Sequence, residues 1–189
     1  MLASGSPQRR ELLSRLGVPF TVRVSGAEEI EQGPDPAAVA VENALRKARA
    51  AWTARAEEAV LGCDTIVVLD GAIYGKPADE AAARATMTAL GGHTHEVISG
   101  VALLVGAAGA EAQERTAVSR TRVTFRALDP ALLDWYVATE EWRGRSGGYA
   151  IQGATGKRLA LSVEGELENV IGLPLRTLHE LAPELFGLV

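Results

Sequence analysis

Cysteine, aromatic residues and positive charge are all scarce in this chain of 189 residues. The single thiol, Cys63, excludes an internal disulfide and a cysteine-rich metal site. It lies in an apolar run and reads as an inert core residue. A formal net charge of −5 argues against a nucleic-acid partner, which needs a basic surface, but leaves room for a small anion in a locally basic pocket. No stretch reads as a signal peptide, and no apolar run is long enough to span a bilayer. The expected class is therefore a cytoplasmic enzyme without a membrane partner. Neither a GxxxxGK[ST] loop nor a GxGxxG turn is present, so neither common nucleotide-binding fold is indicated. No repeat, low-complexity tract or linker divides the chain, and its length suits one domain with a substantial core.

What is present begins with Leu2-Ala3-Ser4-Gly5-Ser6-Pro7-Gln8-Arg9-Arg10-Glu11-Leu12-Leu13. It reads as a short apolar strand, a hydroxyl-rich turn and a helix. Ser6 is a good N-cap, and Pro7 sits where a missing N–H costs nothing. A helix N-terminus offers free N–H groups and a positive dipole end to an anion. Ser4 and Ser6 add hydroxyls and Arg9 and Arg10 add charge, so the turn reads as a phosphate cradle; the plainer alternative is an ordinary capped helix.

Further along, Phe20 to Val24 alternates like a strand. Gly26 to Pro36 reads as an acidic loop, and Asp35-Pro36 opens a helix reaching about Arg55. Ala59 to Leu69 is an apolar run expected to form a strand buried on both faces. Asp70-Gly71 signals a hairpin turn to Ala72–Tyr74. A helix is expected from about Asp79 to Leu90, strands over Glu96–Val105 and Ala117–Arg126, and a turn over Gly106–Gly109. Asp129-Pro130 opens a helix through Thr139. The glycine-rich 144–156 stretch reads as a loop that can approach a ligand closely. Leu159–Val163 reads as a strand, and Asn169–Leu173 leads through Pro174 into a last helix ending near Leu181. Strands and helices mix without strict alternation, which predicts an α/β fold with a mixed central sheet.

Asp64 is the sharpest chemical feature, because a carboxylate inside a buried strand is costly without a partner or a metal. It is a candidate base or metal ligand, with Thr65 as a polar neighbour; the alternative is local capping. Glu28 and Glu29 are a second carboxylate source or simply a solvated loop. Lys76, between Gly75 and Pro77, suits a phosphate contact. Lys47 by base rate is a surface lysine. His93 and His95 have a spacing open to a metal, but with no third ligand nearby a structural role is favoured. The three tryptophans read as core or interface residues, and His179 as chemically idle. Together these groups fit metal-assisted phosphoryl chemistry on a small polyphosphate.

Several blocks in order also resemble the Maf family of nucleoside triphosphate pyrophosphatases nearly end to end. They are Leu-Ala-Ser-Gly-Ser-Pro at 2–7 with Arg9 and Glu11-Leu12-Leu13, Gly62-Cys63-Asp64-Thr65, Gly75-Lys76-Pro77, His95 through Gly100, Tyr149 through Gly153, and Asn169 through Leu175. The resemblance implies a single Maf-like domain over 1–189. It implies flanking helices in two lobes around a cleft, similar to inosine triphosphatases. It implies hydrolysis of a nucleoside triphosphate to the monophosphate and pyrophosphate with a divalent cation, Mg²⁺ or Mn²⁺. By position, Asp64 matches the proton acceptor. Ser6, Arg9, Lys47 and Lys76 match phosphate-binding positions, joined here by Ser4, and Glu29 with Asp64 matches the metal-associated acids.

Gln8, Thr65 and Gln152 fall at the positions that divide the family by base preference. The dTTP/UTP branch carries Arg, Thr and Gln there and the 7-methyl-GTP branch Trp, Gln and Glu; this chain agrees with the first at two positions, and Gln8 departs from both. Arg46, Gly144-Arg145 and Glu166-Leu167 depart from the usual Glu, Asp-Lys and Ser-Tyr. The expectation is a dTTP and UTP pyrophosphatase, extending to modified pyrimidine nucleotides. The alternatives are a pyrophosphatase for other altered nucleotides and a non-catalytic nucleotide-binding regulator of septum formation. A homodimer is also implied, with which exposed tryptophans would be consistent.

Overall fold

The computed structural model describes residues 1–53, 58–106 and 111–186. Five strands, β1 Glu58–Leu69, β2 Ala72–Tyr74, β3 Thr94–Gly106, β4 Gln113–Phe125 and β5 Ala160–Glu164, form a sheet in the order β2-β1-β3-β4-β5. Every ladder is antiparallel. Parallel pairing is confined to two single bridges, from Leu2 to Leu61 and to Val22, so the sheet is mixed only there. The helices are α1 Pro7–Ser14, α2 Pro36–Ala51, α3 Glu80–Leu90, α4 Pro130–Ala138, α5 Gly153–Leu159, α6 Leu167–Ile171, α7 Leu175–Leu181 and α8 Pro183–Phe186.

The capping signals do what their chemistry predicts. Ser6, Asp35, Asp79 and Asp129 each accept a first-turn N–H, and Pro7, Pro36 and Pro130 occupy the first helical position. Both long apolar runs are strands, and alternation along them divides the core. Val60, Ile66, Val68, Ile98, Ala102 and Leu104 face α2, whereas Leu61, Cys63, Val67, Leu69, Val97, Val101 and Leu103 face the other way.

On that second face the core is in two parts. One gathers α1, α7 and α8 around Leu12, Leu178 and Phe186; the other gathers α3 and α4 with Met87, Phe125, Tyr136 and Trp142. Between them runs a polar row in register across three strands, Thr65 opposite Ser99 and Ser99 opposite Ser119. This is the expected pair of lobes with a cleft between.

Helix α2 lies unusually close to the sheet. Its alanines 40, 44, 48 and 51 are fully buried, successive ones about a turn apart on a single face. Opposite them stand Gly62 and Gly100. A Cβ on Gly62 would lie 2.1 Å from the Ala44 carbonyl oxygen, and one on Gly100 would lie 2.3 Å from the Ala40 carbonyl. The small side chains of these alanines are what let the helix come down onto the sheet.

Several expectations are corrected. Phe20–Val24 forms only the single bridge at Val22, and Val22 and Val24 are exposed; the alternation has no second layer to bury against. Leu2-Ala3 likewise contributes bridge hydrogen bonds to β1 rather than a strand of its own. Glycines 144–156 do not form one loop. The stretch holds a 3₁₀ turn at Ser146–Gly148 and the first turn of α5, because Gly147 and Gly156 serve close packing against Val67 and the Ile151 carbonyl. Asn169–Ile171 belongs to α6. Strand β4 starts at Gln113, before the expected Ala117. Helix α2 ends at Ala51, short of the expected Arg55, because Trp52 turns into extended backbone; the expected turn beyond Gly106 lies outside the described residues. Trp142 is buried and Trp52 and Trp135 are half-buried, so none of the tryptophans is exposed as a dimer surface would want. Among the described residues no helix is long and apolar enough to cross a membrane.

The close approach sets a stability test. Gly100→Ala is expected to cost about 1–3 kcal/mol through overpacking against the α2 backbone, read as a lower urea midpoint with an unchanged slope. A midpoint equal to the wild type would contradict the close approach.

Candidate active site

The sheet has a gap on one edge, and the site fills it. Strand β1 is flanked there by Leu2 at Leu61 and by β2 at Val67–Leu69. Between these partners, Cys63 to Ile66 have no strand neighbour on that side among the described residues. Side chains from both faces of β1 reach this opening. A cavity of about 440 Å³ occupies it, and Asp64 and Thr65 both line it although they are consecutive.

Asp64 is buried, and its two carboxylate oxygens have different partners. Lys47 Nζ lies 2.6 Å from Oδ1, and Asn43 Nδ2 donates to Oδ2 at 3.0 Å. Asn43 and Lys47 are one turn apart on the face that α2 presses to the sheet, which is why both reach one carboxylate. Asn43 also clasps Ile30, accepting from its N–H at 2.7 Å and donating to its carbonyl at 2.9 Å. That fixes the chain beside Glu29. The Glu29 carboxylate then meets Lys47 at 2.9 Å and Lys76 at 3.3 Å. The result is an alternating row, Asp64, Lys47, Glu29, Lys76. Burial alone would push the Asp64 carboxyl up, but the charge and hydrogen bond of Lys47, with Arg9 and Asn43, hold it below its ordinary value. Burial opposes Glu29 as well, and the hydrogen bond and charge of Lys47, with Lys76, bring it below its usual range.

The start of α1 forms the opposite wall. Ser6 Oγ accepts from Arg9 N at 3.4 Å and donates to Gln8 Oε1 at 3.0 Å. Ser4 Oγ accepts from Ser6 N and from Arg9 Nη1. The Arg9 guanidinium is spread over three neutral acceptors: the Gly172 carbonyl at 2.9 Å, Thr65 Oγ1 at 3.2 Å and Ser4 Oγ at 3.3 Å. No carboxylate neutralises it among the described residues, and two of its five N–H donors stay unspent. Arg10 points away and is exposed.

A third wall comes from residues 144–152. Ser146 Oγ donates to the Thr65 carbonyl at 2.7 Å, tying this segment to the unpaired edge of β1. Tyr149 sits beneath, with its hydroxyl 2.8 Å from His95 Nε2 and its ring edge-on to His95 and Phe125. Burial lowers the His95 pKa to about 4, so the imidazole is neutral and structural. His93 is exposed, and the described residues hold no group of three or more His, Cys, Asp or Glu fit for a metal.

All of Ser4, Ser6, Gln8, Arg9, Glu29, Lys47, Asp64, Thr65, Lys76 and Gln152 line this one cavity. Glu28 does not; it is exposed. Lys47 is buried rather than the surface residue that base rates favour.

The family model described as Maf-like protein matches residues 1–185. The chain belongs to the Maf family. Among its Maf relatives, a dTTP/UTP pyrophosphatase of Deinococcus radiodurans is 45% identical over 175 residues, covering 93% of this chain and 87% of the relative. One of Moorella thermoacetica is 45% identical over 188 residues, covering 99% and 94%. One of Anaeromyxobacter is 45% identical over 181 residues, covering 96% and 86%.

In this Maf protein, sequence reasoning missed three contributors. Asn43 was legible as the residue one helical turn before Lys47. Arg145 lines the cavity without an ion pair among the described residues, and reads in the sequence only as a departure from the family's lysine. Ser146 had no signal, since its partner is a backbone carbonyl 81 positions away.

The lowered carboxyls give a pH test. Ordinary values lie near 4, and both native values lie below them. The unfolded chain therefore binds more protons in that range. The stabilisation is complete above the ordinary range and is lost as pH falls through the lowered native values. Melting temperature should drop on acidification from about pH 5. The Asp64→Asn, Glu29→Gln double variant should decline less steeply over the same range, and parallel curves would contradict the lowered values.

Proposed function

We propose that this Maf protein hydrolyses nucleoside triphosphates of the dTTP and UTP class, and modified pyrimidine relatives, to the monophosphate and pyrophosphate. The observation that carries the reading is that one cavity holds a buried, ionised carboxylate, a helix N-terminus and four cationic side chains, in a chain of net charge −5. The names of relatives 45% identical over nearly the whole chain support the pyrimidine triphosphate. Residues 1–189 act in this reading as one nucleotide pyrophosphatase domain. The resemblance to the family supports a homodimer, the net charge of −5 argues against a nucleic-acid partner, and the reading places the enzyme in the cytoplasm.

In this reading the polyphosphate lies against the first turn of α1. Ser4, Ser6 and Arg9 bind its oxygens, with Lys47 and Lys76 from the other wall. Asp64 accepts a proton from the water that attacks the α-phosphorus, and the pyrophosphate leaves. Gln8, Thr65 and Gln152 face the base, offering carboxamide and hydroxyl groups to its polar edge.

The donor set fits a divalent cation in part. Asp64 and Glu29 are hard oxygen donors bridged by one ammonium, and two carboxylates with substrate phosphates are the usual holders of Mg²⁺ or Mn²⁺. When bound, such a cation offsets the charge that builds on the phosphate oxygens.

The decisive experiment is an initial-rate screen of common and modified triphosphates with Mg²⁺ or Mn²⁺, with the products identified. Pyrophosphate and monophosphate from dTTP and UTP are expected. Asp64→Asn should lower kcat by about 10²-fold or more with a smaller change in KM. Orthophosphate as the product, or full turnover in Asp64→Asn, would sink the assignment.

A further inference from the structure

We propose that Lys47 blocks the cation site in the free protein and unblocks it when a polyphosphate arrives, so that the divalent metal enters with the nucleotide and not before it. This rests on the reading of Asp64 and Glu29 as the metal-holding pair.

The geometry of the free site carries the inference. The Lys47 ammonium bridges the two carboxylates, 2.6 Å from Asp64 Oδ1 and 2.9 Å from Glu29 Oε1. The other two oxygens are also engaged, Asp64 Oδ2 by Asn43 and Glu29 Oε2 by Lys76. All four carboxylate oxygens thus accept from N–H donors. A cation seated between these carboxylates would occupy the volume of the ammonium and meet its charge at contact distance. Nor do the described residues offer a third acid, cysteine or imidazole to complete a coordination sphere. Oxygens of a bound polyphosphate are the ligands at hand.

Of the two side chains that hold Asp64, Lys47 is the one able to move. Asn43 is pinned by two hydrogen bonds to Ile30. Lys47 reaches the carboxylates on a flexible four-carbon stem and lines the cavity. Arg9 and Arg145 carry no carboxylate partner among the described residues, so an entering polyphosphate can bind them before any ion pair breaks. Once it is seated, its oxygens compete for Lys47, and the freed carboxylates take the cation.

Mn²⁺ binding followed by electron paramagnetic resonance tests this without turnover. Wild-type protein alone should bind Mn²⁺ weakly. Lys47→Met should bind it at least about tenfold more tightly, while losing activity. Adding α,β-imido-dUTP, which cannot release pyrophosphate, should raise bound Mn²⁺ in the wild type above the sum for protein and nucleotide measured apart. Equal Mn²⁺ affinity in wild type and Lys47→Met overturns the proposal. So does strong Mn²⁺ binding by the wild type that the nucleotide does not enhance.

A gain that survives in the Lys47→Met, Asp64→Asn double variant would instead remove Asp64 from the metal site, and with it the reading on which the proposal rests. If Lys47→Met does not fold, Lys47→Gln serves in its place, because its neutral carboxamide can still donate a hydrogen bond while the blocking ammonium is gone. At least about a twofold gain is then expected, and no gain overturns the proposal.

Discussion

A carboxylate in the middle of a sheet must be paired where it stands. Left alone, Asp64 would be protonated or would destabilise the fold, because an unpaired buried charge costs several kcal/mol. Its partner, Lys47, comes from a helix, and a lysine reaches the floor of a sheet only if its helix lies very close. That closeness is what the alanines of α2 and the glycines of β1 and β3 supply. Small residues at this interface are therefore part of the chemistry. They set the distance at which the Asp64–Lys47 pair forms, and Asn43, one turn earlier, extends the same contact to the acidic loop.

The electrostatics of the cavity follow from that pair. Lys47 and Lys76 are matched by Asp64 and Glu29, whereas Arg9 is held by a carbonyl and two hydroxyls and Arg145 has no acid beside it among the described residues. An anion entering the cleft therefore meets an excess of positive charge in a chain that is acidic as a whole. Ion pairs elsewhere, such as Arg15–Glu11 and Arg122–Glu164, join exposed side chains and add little to stability. The consequential charges are those the fold keeps from balancing.

Legibility in the sequence tracks how local each determinant is. The helix starts were readable because a cap and a proline act within one turn, and Ser6, Asp35 and Asp129 behave accordingly. Strands β1 and β3 were readable because burial on both faces leaves unbroken apolar runs. Asp64 stood out because it interrupts one of them. Phe20–Val24 misled because alternation predicts a strand only where a neighbour is available to pair, and one bridge was available. The glycine-rich stretch misled because glycine also permits close packing, as Gly147 does against Val67. Ser146 and Arg145 depend on contacts across the fold, and no local pattern encodes those.

The cleft itself has a physical origin in this division of the core. On the face away from α2, strand alternation would continue one apolar layer along β1, β3 and β4. Thr65, Ser99 and Ser119 interrupt it at one register, with Thr65 Oγ1 and Ser99 Oγ 2.8 Å apart. The Thr65 and Ser99 hydroxyls satisfy one another, and the row offers little apolar surface to cover, so the helices on either side gather into separate clusters. The opening between them coincides with the stretch of β1 that, among the described residues, has no strand neighbour on the side away from β3. Arg9 reaches Thr65 through it from one lobe, and Ser146 reaches the Thr65 carbonyl from the other. A threonine beside the buried acid thus splits the core, anchors both lobes to the sheet and leaves the acid within reach of whatever enters.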